Sequence, residues 1–214
     1  MTRQGSAEQS SSRASTTAKA TPADARPRNR ILLLQALQAD GPQSRADLAR
    51  QSGLTPTTVS AVTAELIADG LISEVGRKAS TSAGKPATLL GVEPDGRHII
   101  ALDLSDDDVI EAAVVNLAGK IVDRRSHPRS GETGKKAAAA VVRLARDIAS
   151  TVERPLLGVG CATPGIVDDR GVVITAAHVG WDDEPLAGKL ADALGVPSYV
   201  VNDANAAVLS LIHI

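Results

Sequence analysis

Residues 44–66, "SRADLARQSGLTPTTVSAVTAEL", carry two helix starts separated by a single glycine turn. Ser44 stands where a cap is needed, and Asp47, three residues later, completes a box-like N-terminus. Gly53 supplies the turn. Thr55 caps the next helix, and Pro56 takes its first position, where the missing amide proton has no helical partner to lose. In that helix Val59, Val62 and Leu66 fall on one stripe, which turns Thr57, Thr58, Ser60, Ala61 and Thr63 outward. Upstream, Ile31, Leu34 and Leu37 recur at helical spacing until Asp40-Gly41-Pro42 ends the run.

Three short helices with a tight turn between the second and third form a helix-turn-helix pattern. A small bundle with a merely wet polar face would share it, so the next stretch decides. "ADGLISEVGRKASTSAGKPATLLGVE" (68–93) reads as a turn, a strand to Val75, a loop bearing Arg77, Lys78 and Lys85, and a return strand Thr88–Val92. That is a β-wing, and its cations are placed to meet phosphates. Residues 28–92 are therefore expected to form a winged helix-turn-helix domain, mainly α with a β-wing. The third helix's small polar face suits a major groove about 12 Å wide. Thr57, Thr58, Ser60 and Thr63 are offered to base edges. Ser44 and Arg45 are expected near the DNA backbone, with Arg77, Lys78 and Lys85 reaching phosphate or the minor groove.

Charge agrees with a division of the chain. Residues 1–91 hold 11 Lys and Arg against 7 Asp and Glu, a net of +4, whereas residues 92–214 hold 12 against 18, a net of −6. Residues 1–27, rich in Ser, Thr, Ala and Gln, lack hydrophobic periodicity and read as a disordered tail. At 43 % apolar residues a core can form, but with no Phe, one Trp and one Tyr it must be built from Leu, Ile, Val and Ala. No run approaches the roughly 18 apolar residues of a membrane span, and no secretory signal is visible. A lone Cys161 excludes an internal disulfide and a multi-cysteine zinc box within these residues. These features fit a cytoplasmic protein with no membrane partner.

From Arg97 the periodicity changes. Strand-like runs at 97–104, 109–115 and 120–126 precede an amphipathic helix with Ala138, Val141, Val142, Ala145, Ile148, Ala149 and Val152 on one face. A buried strand (156–162), the turn Thr163-Pro164-Gly165, a short segment (171–177), a helix (185–194) and a strand (198–203) follow. Meandering strands followed by alternating helices and strands indicate an α/β layer fold.

Together the winged helix, "ALDL" and "VVNLAGKIV" (101–104, 114–122), "GVGCATPGIVD" (158–168), "GWDDEPLAGKLADALGVPSYVVNDANAAVL" (180–209) and Gly84-Lys85-Pro86 of the wing resemble the ROK family of bacterial repressors and sugar kinases. The resemblance spans about residues 28–208, and "VNDANAA" is its most specific element. It implies that residues 93–208 form the N-terminal lobe of an actin-like (ribonuclease H-like) α/β sugar-binding domain, with the second lobe missing. It also implies sugar contacts from Asn202 and Asp203, the pair that binds a sugar hydroxyl in ROK kinases, and from Thr163 and Gly165 of a second loop. Capping of the helix after Asp203 is the plain alternative. His178 and Trp181 are further candidates for the pocket wall, although a lone Trp is more often core.

ROK kinases place Asp and a Gly-Gly-Thr turn between the first two strands of this lobe to cradle ATP phosphates. Here Asp103 matches, but Ser105, Asp106 and Asp107 stand where Gly, Gly and Thr are expected. Side chains block the close backbone approach that phosphate binding needs. Each carboxylate adds about 1 kcal/mol of repulsion per close charge pair even in water. The acidic tip 105–108 is thus expected to be a solvated turn without catalysis, and consecutive tip carboxylates diverge too much to form a metal site.

Longer family members carry a zinc box and the main dimer surface in the second lobe. The present chain is expected to hold no cofactor, and a full-length parent is expected to be a homodimer. The last residues, "LSLIHI" (209–214), are what the transposon-end adapter CTGTCTCTTATACACATC encodes, and read as foreign to the family. The leading expectation is a sugar-responsive DNA-binding regulator whose partners are operator DNA and a sugar or sugar phosphate. A sugar kinase with an added DNA-binding head, or a DNA-binding protein with a ligand-free oligomerisation domain, are the alternatives.

Overall fold

The computed structural model describes residues 22–78 and 86–212, with the side chains of 22–24 and 209–212 left aside. Two hydrophobic cores organise the chain. The first belongs to a head made of α1 (Pro22–Asp40), β1 (Gln43–Ser44), α2 (Arg45–Ser52), α3 (Pro56–Ala68), β2 (Ile72–Arg77) and β3 (Thr88–Val92). Leu33, Leu37, Leu48, Val59, Val62, Leu66, Ile72 and Leu90 fill this core. The three strands pair antiparallel in the order β1-β3-β2. This is the expected winged helix, with a two-residue bridging strand that the sequence pattern did not disclose.

The local rules act as read for α2 and α3. The hydroxyl of Ser44 accepts the amide of Asp47, and that of Thr55 accepts the amide of Thr58, both at 3.2 Å. Both satisfy amides that the first helical turn leaves without partners. Helix α1 differs from expectation. It starts at Pro22 and not at 28, and Arg26 and Arg30 reach Glu65 of α3 at 2.5 and 3.5 Å. Its buried stripe runs through Leu33 and Leu37, while Ile31 is 56 % exposed. The apolar run 31–34 fits more than one helical phase, and packing against α3 chooses the phase that buries Leu33.

The second core belongs to an α/β lobe. Its five-stranded sheet has the order β11-β7-β4-β5-β6, with β4 (His98–Asp103), β5 (Val109–Asn116), β6 (Ile121–Pro128), β7 (Leu156–Thr163) and β11 (Ser198–Asn202). Strands β4, β7 and β11 run parallel, and β5 pairs antiparallel with both β4 and β6. Helix α4 (Gly134–Ala149) buries Ala138, Val141, Leu144, Ala145 and Ile148 against the alternate residues Ile100, Leu102, Ala112, Val114 and Val159 of the sheet. Helix α5 (Leu186–Leu194) adds Leu186 and Leu190 to the same core. Strands β8 (Ile166–Val167), β9 (Val173–Ala176) and β10 (Trp181–Glu184) form a small separate sheet, of which only the β9 region was legible beforehand. Helix α6 (Asp203–Ile212) closes the described chain. The foreign reading of 209–214 concerns side chains and final residues outside the described set.

Candidate nucleic-acid interface and ligand site

Helix α3 turns Thr57, Ser60, Ala61 and Ala64 to solvent, and Thr58 is half-buried with its hydroxyl 2.9 Å from that of Thr55. Thr63 corrects the expectation: it is fully buried, not outward. Its hydroxyl donates to the carbonyl of Ser60 and accepts Arg45 Nε, each at 3.2 Å. Thr63 lies directly beside Val62 on the inner arc, and a hydroxyl satisfied locally can be buried at small cost. Ser44 is also buried, its hydroxyl committed to capping α2 and to Asp47 Oδ2 at 2.7 Å.

The cations divide into engaged and solvent-facing groups. Arg45 ties α2 to α3 through Thr63 and lies 3.9 Å from Glu74 of the wing. Lys78 Nζ donates to Asp47 Oδ2 at 2.9 Å, and Arg50 also pairs with Asp47. Arg77 is exposed at the end of β2. Lys85, with Gly84 of the wing triplet, lies outside the described residues. Asp47 is the residue whose role sequence reasoning understated. Its bonds to the Ser44 hydroxyl and then to Lys78 hold its carboxyl down at about 2, below the ordinary 3.8. The i, i+3 spacing to Arg50 was a signal; the reach to Lys78 was not, because it depends on how the wing folds back.

At the opposite end of the lobe, the carboxyl ends of β4, β7 and β11 gather Asp103, Thr163, Gly165, Asn202 and Asp203. Ligands of open α/β sheets bind at such an edge. Asn202 pairs with Thr163 across the β11–β7 ladder. Its Nδ2 donates to Gly165 O at 2.9 Å and to Asp203 Oδ1 at 3.1 Å, while its Oδ1 accepts the Asn205 amide at 3.1 Å. Asp203 Oδ1 also accepts the Ala204 amide at 2.7 Å, so this carboxylate does meet the helix start. Thr163 is buried, and Gly165 has φ +101, with a Cβ there falling 2.2 Å from Thr175 O. Only glycine fits both the angle and the space. An open cleft of about 400 Å³ beside Asn202 is lined by Val167, Asp168, Val201 and Asn205. Trp181 is core, its indole donating to Gly134 O at 2.9 Å, whereas His178 is exposed 3.8 Å from Asp107.

The acidic tip satisfies itself. Asp103 Oδ1 accepts the amide and hydroxyl of Ser105 at 2.9 and 2.6 Å. Asp106 Oδ1 accepts the amides of Asp108 and Val109 at 2.8 and 3.1 Å. Three backbone donors of this turn, the amides of Ser105, Asp108 and Val109, are already taken by its own carboxylates. Cys161, behind Asp103 in β7, is a buried thiol pushed up to about 12 by burial and then by the Asp103 charge. It stays protonated and unreactive.

A winged helix followed by a lobe of this topology defines the class: a winged helix-turn-helix head fused to a mixed α/β lobe. The chain belongs to the ROK family, whose model matches residues 99–212, while a winged helix-turn-helix DNA-binding model matches residues 26–73. It is similar to the xylose repressor of Caldicellulosiruptor bescii, at 30 % identity over 190 residues, covering 85 % of this chain and 46 % of that protein. It is also similar to the DNA-binding transcriptional dual regulator NagC of Escherichia coli K12, at 28 % identity over 79 % of this chain and 42 % of that one. The crystal structure of a ROK family transcriptional regulator, a homologue of the E. coli Mlc protein, superposes with a TM-score of 0.74 at 24 % identity, over 86 % of this chain and 48 % of that one. The chain therefore spans about half the length of the relatives it matches. Among the described residues no helix is long and apolar enough to cross a membrane.

Proposed function

We propose that the chain is the DNA-reading head and first sensor lobe of a sugar-responsive transcriptional repressor. The observation that carries this reading is the exposed α3 face of Thr57, Ser60, Ala61 and Ala64, presented by a capped, winged head. Small side chains let the helix sit deep in a major groove, and the two hydroxyls can donate to or accept from base edges. Arg77 and Lys85 supply phosphate contacts from the wing, and Lys78 joins them by exchanging Asp47 for phosphate. Ser44 and Thr63 hold the head together and do not read bases.

In the lobe, Asn202 and Asp203 take a sugar or sugar phosphate, with Gly165 shaping the neighbouring loop. A sugar bound there in a longer, dimeric protein shifts the balance between lobe arrangements and so the spacing of two heads on a pseudo-palindromic operator. The alternative of a working kinase is disfavoured by the tip, where Asp106 already occupies the amides of Asp108 and Val109. A triphosphate would have to displace this carboxylate and then face its charge.

The test is selection of bound duplexes from a random pool, followed by affinity measurements on the selected site and on unrelated DNA. Ser60→Ala and Thr57→Ala are expected to weaken the selected site by about 0.5–1.5 kcal/mol per lost hydrogen bond to a base, with little change on unrelated DNA. Arg77→Ala should weaken both and flatten the dependence of affinity on salt, since each phosphate contact releases counterions. Equal losses on both DNAs from Ser60→Ala would remove α3 from the base-reading role. ATP turnover by the full-length protein would restore the kinase reading.

A further inference from the structure

Contacts between the two cores converge on the C-terminal end of α3. The turn Glu93–Gly96 leads from β3 of the head into β4 of the lobe. The Glu93 amide donates to Leu71 O at 3.0 Å, and Arg97 Nε donates to Asp69 O at 2.8 Å. Asp69 is the C-cap of α3. Arg97 therefore sets a cation against the negative end of the helix dipole, on the same helix that presents Thr57 and Ser60. Arg30 of α1 holds the Asp69 side chain at 2.5 Å from the other side.

Next to this bond, Gly96 and Gly70 meet backbone to backbone. A Cβ on Gly96 would lie 1.8 Å from Gly70 O. The turn between β5 and β6 packs Leu117 against the head's core, with the Leu117 amide donating to Pro94 O at 2.9 Å. Asn116 Nδ2 fixes Asp95 of the same joint at 2.8 Å. Strands β4 and β5 pair along six residue positions, from His98–Asn116 at the joint to Asp103–Glu111 at the tip. At about 3.3 Å per residue, this hairpin spans the lobe from the ligand edge to the head.

We propose that Arg97 is a positioning residue for α3. Together with the Gly96–Gly70 contact and Leu117, it makes the β4–β5 hairpin and α3 one rigid unit, so that the lobe and not a free linker sets the direction of the helix. The proposal rests on α3 as the DNA-reading helix for its significance, but its test needs no DNA. It predicts that displacement of the tip loop at residues 105–108 is delivered as a rotation of α3.

The experiment is residual dipolar coupling of backbone amides in the full chain. In the native protein a single alignment tensor should fit the head (25–78) and the lobe (98–202) together. Gly96→Ala, which must push Gly70 away, should require two tensors. Arg97→Met, similar in length but without a donor, should also require two. Arg97→Gln carries an N–H donor near the position of Nε and should return to one tensor, an outcome that a merely space-filling role would not give. Chemical shifts within each core should stay put in all three variants, because neither core loses a side chain. Two tensors in the native protein, or a single tensor in Gly96→Ala or Arg97→Met, would overturn the proposal. So would two tensors in Arg97→Gln. If the DNA reading is wrong, the random-pool selection fails while the tensors behave as stated, so the two failures are told apart.

Discussion

Asp47 gathers the Ser44 hydroxyl, Arg50 and the wing's Lys78 on one carboxylate, while its amide donates to the Ser44 oxygen at the helix start. Its folded value of about 2 lies below the ordinary 3.8, so the folded state binds this proton less readily than the unfolded chain does. Its contribution to stability is therefore fully present above the unfolded value and is lost as pH falls from there through about 2. Urea midpoints of the head should fall across that acid window. In Asp47→Asn the fall should be shallower, because the titrating group is gone. A fall of unchanged steepness in Asp47→Asn would assign the acid sensitivity to other carboxylates, such as Glu65, which Arg26 also holds low. The same substitution releases Lys78 and Arg50 and should strengthen binding to unrelated DNA at low salt.

At the scale of elements, α3 is the one whose start matters most, because the exposed hydroxyls sit in its first two turns. Thr55→Ala removes the acceptor for the Thr58 amide and should cost about 1 kcal/mol, read as a lower midpoint of the head's unfolding by circular dichroism. The two caps, the buried stripe of α3, the return strand Thr88–Val92 and the long helix α4 were legible in the sequence because each is decided locally, by cap chemistry or by hydrophobic period. The phase of α1 was not, since four consecutive apolar residues fit several phases and only contact with α3 selects among them. The burial of Thr63 was missed for a related reason: a threonine on the margin of a stripe turns inward once Arg45 arrives from another helix. At the carboxyl edge of the lobe's sheet, the family resemblance grouped Thr163, Gly165, Asn202 and Asp203, and the ladder between β7 and β11 sets Asn202 beside Thr163. The joint through Arg97 carried no local signal at all, because it pairs a side chain with a backbone carbonyl 28 residues away.

At the scale of the molecule, the head and the lobe keep separate cores joined by a narrow contact. Leu48→Ala, in the middle of the head's core, should cost about 2–5 kcal/mol and lower the head's transition while leaving the lobe's midpoint in place. Coincident shifts of both transitions would mean that the joint makes them a single cooperative unit. The scarcity of aromatic residues makes this separation directly visible. The single Trp is buried in the lobe at residue 181, and the single Tyr, residue 199, stands 71 % exposed on the lobe's edge strand. The described head contains no aromatic side chain of either kind, so it is silent in ultraviolet emission. A fluorescence melt therefore watches only the lobe, far-ultraviolet dichroism watches both, and the gap between the two curves is a label-free spectroscopic record of the head alone.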